Sequence, residues 1–185
     1  ERNGSAGTGT VLGRQGDVRD EAAIRSLVDE VIDHDGRLDM LFNNAGVSLG
    51  GPTHQLTAAH WDRVIDVNIR GVVNGVLAAY PRMVAQGSGH IVNTASAAGL
   101  VAPPFVTAYA ASKHAVVGLS LGLRSEAALH GVRVSVLCPG AVDTPILDRA
   151  RDPDLPATAS APVTAREYLA VVRQKPVPAD DIARL

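Results

Sequence analysis

Apolar residues recur along this chain with two different periods, and segments of the two kinds alternate. Short apolar runs rich in β-branched residues predict strands, whereas apolar residues three or four positions apart predict amphipathic helices. Strands are predicted over residues 11–18 (a weak strand with its exit), 38–42, 91–94 and 132–138. Strands that alternate with helices in this way are typical of an α/β fold with a parallel sheet.

The first helix is predicted directly after the first strand. Asp20 has the position of an N-cap, and Gly36 is the expected C-terminal stop. Between them the apolar residues form one helical stripe, which consists of Ala23, Ile24, Leu27, Val28, Val31 and Ile32.

Two longer helices are predicted over residues 57–86 and 107–130. The first of these is expected to split or bend before Asn68 and around Pro81, because a proline within a helix removes a backbone donor. Both stretches connect predicted strands, as a parallel sheet requires.

The composition changes after the fourth strand. Residues 148–163 are rich in Asp, Pro, Ala, Thr and Ser, which predicts a mobile surface loop. A short helix is predicted over residues 164–174, and another begins near residue 178. The sequence shows no internal repeat and no second core, so we expect a single domain over residues 1–185.

Composition and charge exclude several classes of protein. The 185 residues are 46% hydrophobic and 19% charged, with a formal net charge of −2, which is typical of a folded domain. Basic residues do not cluster, and no apolar stretch reaches the roughly 18 residues that span a bilayer. Neither nucleic acid nor a membrane is therefore expected as a partner. Cys138 is the only cysteine, which excludes an internal disulfide framework and favours a cytoplasmic protein.

Tyr109 and Lys113 stand four residues apart near the start of a predicted helix, so their side chains share one face. An ammonium group near a tyrosine favours the phenolate, and lowering the tyrosine pKa by roughly three units needs about 4 kcal/mol. Such a tyrosine can act as a general base toward an alcohol or as a general acid toward a carbonyl. An exposed surface pair is the alternative interpretation of this spacing.

Three predicted strands end in small or polar residues. Ser96 follows the strand over residues 91–94, residues 43–46 (Asn-Asn-Ala-Gly) follow another, and residues 139–140 (Pro-Gly) follow the last. Ligands of open α/β sheets bind outside the carboxyl ends of the strands. A serine there can hold a reacting oxygen toward Tyr109, although ordinary turns would explain each segment separately.

Taken in order, these residues resemble the short-chain dehydrogenase/reductase family. The resemblance runs from about residue 11 onward and rests on Asp17-Val18, Asn43-Asn44-Ala45-Gly46, Asn68, Ser96, Tyr109-Ala-Ala-Ser-Lys113 and Pro139-Gly140-Ala-Val142-Asp-Thr144. It implies a Rossmann-like, doubly wound parallel sheet in three α/β/α layers.

The resemblance also implies roles for four catalytic residues. Tyr109 would transfer the proton, and Lys113 would lower the pKa of Tyr109 and bind the nicotinamide ribose. Ser96 would orient the substrate oxygen, and Asn68 would hold a water that extends the proton path to solvent. For Asn68, an asparagine that binds backbone at a helix bend is the alternative.

The cofactor implied by the resemblance is NAD or NADP. Asp17 and Val18 would contact the adenine, the first through its carboxylate and the second through its backbone. The residues implied to bind the cofactor are Asp17, Val18, Asn44, Ala45, Gly46, Tyr109, Lys113, Pro139, Gly140, Val142 and Thr144.

The sequence departs from the family pattern near its beginning. Residues 4–9 contain glycines but follow no predicted strand and open no apolar helix, so they do not form the glycine-rich phosphate-binding turn. Only 16 residues precede Asp17, whereas a strand–helix–strand unit takes roughly 30. We therefore expect a sheet that is incomplete at both ends, and an isolated chain that is inactive or poorly folded. The choice between NAD and NADP stays open.

The segments around the predicted catalytic residues are apolar. Residues 100–106 precede Tyr109, and residues 146–147 lie within a predicted substrate lid over residues 141–177. We expect a small or medium hydrophobic secondary alcohol or ketone as substrate, with packing of the lid as the alternative role of these residues. The resemblance implies a homodimer or homotetramer.

The leading hypothesis is thus an NAD(P)-dependent oxidoreductase that uses a tyrosine as general acid or base. A catalytically silent binding or scaffold module is a second hypothesis, and epimerase or dehydratase chemistry at the same site is a third. The six histidines show no ligand spacing, so no catalytic metal is expected.

Overall fold

The computed structural model of the chain describes residues 10–148, 164–171 and 174–183. Its helices are α1 (Glu21–Asp35), α2 (Ala58–Ile65), α3 (Gly71–Gln86), α4 (Thr107–Ala127), α5 (Ala165–Val171) and α6 (Ala179–Ala183). Its strands are β1 (Met40–Asn43), β2 (Gly89–Thr94), β3 (Val132–Leu137), β4 (Val142–Asp143) and β5 (Val177–Pro178). Short 3-10 turns cover Thr53–Gln55, Ala97–Gly99, Ala128–His130 and Pro145–Leu147.

The central sheet has the strand order β1-β2-β3, and all three strands are parallel. Helices connect these strands, with α2 and α3 between β1 and β2, and α4 between β2 and β3. The predicted α/β fold with a parallel sheet is therefore confirmed. A separate parallel pair joins β4 to β5.

One face of the central sheet carries the helices and the main core. Helices α1, α3 and α4 meet the sheet in a cluster around Met83, Ile91 and Val134. The side chains of Met83 and Ile91 are fully buried, and burying an apolar side chain of this size contributes about 1.5–3 kcal/mol. The helix α3 lies close to β1 because Gly75 has no Cβ atom, which would otherwise overlap the Asn43 side chain.

The opposite face of the sheet is open in the described part of the chain. Met40 and Phe42 of β1 and Leu137 of β3 alternate with residues of the covered face and are exposed. The described residues thus supply the sheet and one helical layer of the expected three-layer arrangement. No helix among them is both long and apolar enough to cross a membrane.

The ends of α1 follow the predicted capping chemistry. The Asp20 side chain accepts a hydrogen bond of 3.0 Å from the Ala23 N–H. Gly36 adopts a left-handed conformation with φ of 75°, and its N–H donates to the Ile32 carbonyl at 2.8 Å. Both predicted ends of this helix are confirmed.

The predicted strand over residues 11–18 is wrong. Residues 10–17 have no regular secondary structure, residues 18–19 form a turn, and Val11 and Leu12 are exposed. A strand is stable only when a neighbouring strand satisfies its backbone groups. Among the described strands, none pairs with this segment.

The long helix predicted over residues 57–86 is divided as expected near Asn68. A π-helical turn, Asp66–Arg70, separates α2 from α3. The predicted interruption around Pro81 is not seen, since α3 continues through this residue. Leu77, whose carbonyl loses its helical partner to the proline, lies at an exposed position of the helix.

The helices that were predicted in the second half of the chain are present, with small differences in length. The helix predicted over residues 107–130 is α4 with a 3-10 extension, and the one predicted over residues 164–174 is the shorter α5. The helix expected from residue 178 is α6. Apart from Asp148, the predicted loop over residues 148–163 lies outside the described residues.

Candidate active site

The carboxyl ends of β1, β2 and β3 lie side by side. The register pairs Asn43 with Asn93 and Thr94 with Leu137, so the segments that follow these strands emerge at one edge of the sheet. The β2 and β3 exits are further joined, because the Ala97 N–H donates to the Pro139 carbonyl at 2.7 Å. The predicted strand ends therefore share one edge, as parallel pairing requires.

Tyr109 and Lys113 project toward this edge from the first turns of α4. The Lys113 Nζ atom lies 5.7 Å from the centroid of the Tyr109 ring. The same ammonium donates a hydrogen bond of 2.8 Å to the Thr94 carbonyl at the end of β2. Lys113 is buried, so the strand carbonyl compensates part of the cost of removing its charge from water.

Ser96 lies between β2 and the following 3-10 turn. Its Oγ atom accepts a hydrogen bond of 3.1 Å from the Ala98 N–H, which caps that turn. The Ser96 hydroxyl also lies near the Tyr109 phenol and acts to lower the pKa of that phenol. The hydroxyl and the phenol therefore lie near each other at the sheet edge.

Asn68 lies in the π-helical turn and is fully buried. Its amide forms a two-point pairing with the backbone of Val47, accepting from the N–H at 2.8 Å and donating to the carbonyl at 2.9 Å. The second amide N–H donates to the Ser112 Oγ atom at 3.0 Å. The side chain thus binds backbone at a helix bend, while its role toward a water stays a prediction.

The ionisation of the Tyr109–Lys113 pair differs from the expectation. Burial raises the pKa of Tyr109, and the Ser96 hydroxyl acts in the opposite direction. Burial also lowers the pKa of Lys113 from 10.5 to about 8, against a smaller effect of Cys138. The phenol is therefore protonated at neutral pH in the free protein, and the pKa of Tyr109 is shifted upward rather than downward.

Residues that follow β1 and β3 leave room at the same edge. A Cβ atom on Gly46 would lie 3.4 Å from the Asn68 Oδ1 atom and 3.5 Å from the Lys113 Nζ atom. Asn44, Ala45 and Gly140 are exposed, and a Cβ atom on Gly140 would meet no described atom within 4 Å. This edge is thus an open cradle beside the predicted catalytic residues.

Val142 and Thr144 extend from the β3 exit. Val142 pairs with Val177 in the small second sheet, and the Thr144 hydroxyl lies 3.5 Å from the Val142 carbonyl. Both residues are partly buried. The role of Thr144 toward the cofactor stays a prediction.

Asp17 and Val18 lie in a turn over residues 17–20 that leads into α1. The Arg19 side chain forms an ion pair with Asp17 and lowers the pKa of that carboxyl to about 2. The Asp17 carboxylate also accepts from the Arg19 N–H at 2.9 Å. The structure therefore presents a fixed, ionised carboxylate at this position.

Sequence reasoning assigned no role to Ser112 or Thr94. The Ser112 hydroxyl donates to the Tyr109 carbonyl at 2.7 Å while accepting from Asn68, so it links two of the predicted catalytic residues. A serine three residues after Tyr109 on a helix is the available signal, since its hydroxyl can reach that carbonyl. The role of Thr94 has no sequence signal, because any residue supplies a carbonyl.

Comparison with known proteins agrees with this geometry. Residues 3–154 match the family described as short chain dehydrogenase. Levodione reductase from Leifsonia aquatica is 39% identical over 154 residues, and the match covers 81% of this chain and 58% of that protein.

Two solved structures are also similar. A short-chain dehydrogenase/reductase from Burkholderia phymatum in complex with NAD has a TM-score of 0.83 at 38% identity, and the match covers 94% of this chain and 65% of that one. A gluconate 5-dehydrogenase from Burkholderia cenocepacia J2315 in complex with NADP and tartrate has a TM-score of 0.68 at 34% identity, covering 71% and 51%. The chain therefore spans well under the full length of these relatives, and it belongs to the short-chain dehydrogenase/reductase family.

Proposed function

We propose that the full-length protein is an NAD(P)-dependent oxidoreductase that interconverts a hydrophobic secondary alcohol and its ketone. The observation that carries this proposal is the convergence of Ser96, Tyr109 and Lys113 on one open edge of the sheet. A hydroxyl and a phenol that lie near each other can together hold a carbonyl oxygen, and the phenol can give it a proton. Solved relatives bound to NAD and to NADP support the cofactor class.

The residues at the sheet edge fit a nicotinamide cofactor. An ammonium has three N–H donors, and the Thr94 carbonyl accepts one of those of Lys113, which leaves donors for a ribose hydroxyl. Gly46 and Gly140 keep the cradle free of side chains. The cofactor, when bound, supplies or accepts the hydride, and the protein supplies position and proton transfer.

The protonation state of Tyr109 favours reduction at neutral pH. Because burial raises its pKa, the phenol carries its proton and can donate it to a ketone oxygen. Oxidation of an alcohol needs the phenolate, so we expect that direction to require a more alkaline pH. Lys113, with a pKa of about 8, loses its charge within that same alkaline range.

Replacement of Tyr109 by phenylalanine tests the proposal. We expect Tyr109→Phe to lower kcat by about 10²–10⁴-fold toward a panel of ketones, because it removes the proton donor. Tyr80→Phe is the matched control, since Tyr80 lies on α3 and packs against the core, and it should retain activity.

Full activity in Tyr109→Phe would instead favour a binding module that does not use the phenol. Turnover without net oxidation or reduction of the dinucleotide would favour epimerase or dehydratase chemistry. Product analysis of the wild-type protein separates these alternatives.

We infer that residues 141–177 form a substrate lid. Arg166 of α5 donates to Asp143 at 2.8 Å and to Asp148 at 2.5 Å, which ties α5 to the exit of β3. Arg166→Ala should raise the KM for the ketone severalfold while leaving the KM for the dinucleotide unchanged. Equal changes in both constants would contradict the lid.

The expected hydrophobic substrate remains a proposal. Leu100, Val101 and Phe105 are exposed apolar side chains on the loop that precedes Tyr109. The names of levodione reductase and gluconate 5-dehydrogenase give different substrates, so family membership alone does not identify the substrate class. Initial rates with aliphatic and aryl ketones against polyhydroxy ketones would decide the class.

We also propose a homodimer or homotetramer formed through α3 and α4. Leu77 of α3 and Leu121 of α4 are more than half exposed, which is typical of side chains that pack against a partner. Leu77→Glu or Leu121→Glu should reduce the mass measured by light scattering. Leu129→Glu, at a still more exposed leucine beyond α4, is the control that should leave the mass unchanged.

Turnover is expected of the full-length protein rather than of residues 1–185 alone. The described part of the chain leaves Met40, Phe42 and Leu137 exposed on the open sheet face, and apolar surface of this kind promotes association. Cofactor-dependent turnover by a purified protein of these 185 residues would contradict this expectation.

A further inference from the structure

Helix α3 contacts the 17–20 turn at two points. The Asn74 Nδ2 atom donates a hydrogen bond of 2.9 Å to the Val18 carbonyl, and Asn74 is buried. One helical turn earlier, a Cβ atom on Gly71 would come within 2.8 Å of the Val18 Cγ2 atom. The Asn74 amide and the bare backbone of Gly71 therefore form the surface of α3 on which Val18 packs.

Hydrogen bonds within the turn couple the position of Val18 to that of Asp17. The Asp20 N–H donates to the Asp17 carbonyl at 3.0 Å, and the Arg19 N–H donates to the Asp17 carboxylate at 2.9 Å. These bonds make residues 17–20 a closed unit, so the orientation of Val18 also sets that of the Asp17 carboxylate. The residues before the turn lack regular structure and are exposed.

We propose that Asn74 and Gly71 are positioning residues for the adenine end of the dinucleotide. This inference rests on the proposed function, in which Asp17 and Val18 contact the adenine. A turn that is held in place before binding needs no further ordering when the ligand arrives, so the protein binds the ligand with higher affinity. Neither residue needs to touch the cofactor to act in this way.

The same helix also relates the two ends of the cofactor site. Asn68, beside the catalytic residues, and Asn74 lie six positions apart in the helical run over residues 66–86. At a rise of about 1.5 Å per residue, these anchors are about 9 Å apart along the axis. A rigid helix thus holds the 17–20 turn at a fixed distance from the catalytic residues.

The test compares Asn74→Ala with Gln86→Ala in the full-length protein. Gln86 lies at the far end of α3 and also ties backbone through its amide, accepting from the Leu38 N–H at 3.1 Å and donating to the Ser88 carbonyl at 2.9 Å. The two variants remove the same kind of bond from one helix, but only one of these bonds holds the turn.

Binding of ADP and of reduced nicotinamide mononucleotide, measured by calorimetry, separates the two ends of the cofactor. We expect Asn74→Ala to weaken ADP binding about fivefold, as the loss of one hydrogen bond predicts, and to leave nicotinamide mononucleotide binding unchanged. Gln86→Ala should alter neither. Equal losses in the two variants, or an equal loss for both ligands in Asn74→Ala, would overturn the inference.

A second variant and a second readout cover the case in which Asn74→Ala misfolds. Gly71→Ala places a methyl group against Val18 while improving helix propensity, so a selective loss of ADP affinity would arise from the turn. Hydrogen exchange at the Asp20 N–H should accelerate in Asn74→Ala and not in Gln86→Ala, and unchanged exchange would contradict the inference. If the wild-type protein binds neither ADP nor a dinucleotide, the proposed function fails and the inference fails with it.

Discussion

The predicted catalytic residues, with their partner Ser112, and the 17–20 turn are stabilised in opposite ways. Asn68, Ser112 and Lys113 are buried, and each bonds to backbone or to another member of the group. Asp17 is exposed, and its carboxylate is paired with the neighbouring Arg19. In the catalytic region a lost bond leaves an unsatisfied group away from water, whereas in the turn water replaces it.

This contrast predicts that substitutions in the two regions affect stability and function differently. Removing a partner from a buried polar group costs its full desolvation, while breaking an exposed ion pair costs little. Substitutions in the catalytic region should therefore change folding and activity together. Substitutions in the turn should change ligand affinity with little effect on folding.

Asn68→Ala should have the largest effect on stability. It leaves the Val47 N–H and carbonyl and the Ser112 hydroxyl without their buried partner, which should lower the free energy of unfolding by about 2–4 kcal/mol. Asn74→Ala breaks one bond to the turn and should cost about 1 kcal/mol. Urea unfolding measures both, and equal losses would remove the contrast.

Ser112→Ala should lower both stability and kcat. The variant removes a buried hydroxyl that links Asn68 to the Tyr109 carbonyl, so we expect a loss of about 1–2 kcal/mol. We also expect kcat to fall about tenfold, because a small misplacement of a catalytic group is costly.

Ser120→Ala is the matched control for that variant. Ser120 lies on the same helix, accepts from Asn93 at 2.9 Å and donates to the Val116 carbonyl at 2.7 Å. It should show a similar loss of stability with kcat unchanged. A similar fall in kcat for both variants would mean that Ser112 acts only through the stability of α4.

Lys113 should produce an alkaline pH dependence of stability. Its pKa falls from 10.5 to about 8 on folding, so the folded state disfavours the ammonium, and this cost is fully present below pH 8. Stability should rise relative to Lys113→Met as the pH increases from about 8 toward 10.5. The ¹³Cε resonance of Lys113 can be assigned as the one that is missing from the spectrum of Lys113→Arg. It should titrate with a midpoint near pH 8, and a midpoint near 10.5 would contradict the pKa shift.

Asp17→Asn should have the smallest effect on stability. The carboxylate is exposed and its pKa of about 2 reflects the Arg19 pair, so its contribution is present above pH 3.8 and is lost only as the pH falls through 2. At neutral pH we expect Tm to change by less than about 2 °C. Glu30→Gln, which breaks the exposed pair with Arg14, should behave alike, and a much larger shift in Asp17→Asn would show that the turn supports the fold.

Local patterns predicted much of the fold. The stripe between Asp20 and Gly36 became α1 with both predicted caps, since helix capping depends on neighbouring residues alone. The apolar runs at residues 91–94 and 132–138 became β2 and β3. The strand predicted over residues 11–18 was wrong because a strand depends on a distant partner.

The sequence predicted that Tyr109 and Lys113 lie together, but it did not predict the ionisation of Tyr109. The spacing of Tyr109 and Lys113 placed both on one helix face, as the structure shows. The direction of the Tyr109 pKa shift was wrong, because burial of the phenol raises the pKa and the amino-acid sequence does not reveal burial. The link through Ser112 was missed, since its second partner is 44 residues away in the chain.

The sequence by itself determined which segments become helices and strands and the order of the residues that carry the family resemblance, because these depend on near neighbours. The tertiary structure alone decided that Lys113 donates to the Thr94 carbonyl and that Asn74 holds Val18. Such contacts join segments far apart in the chain, and only packing brings them within the few ångströms over which a hydrogen bond acts.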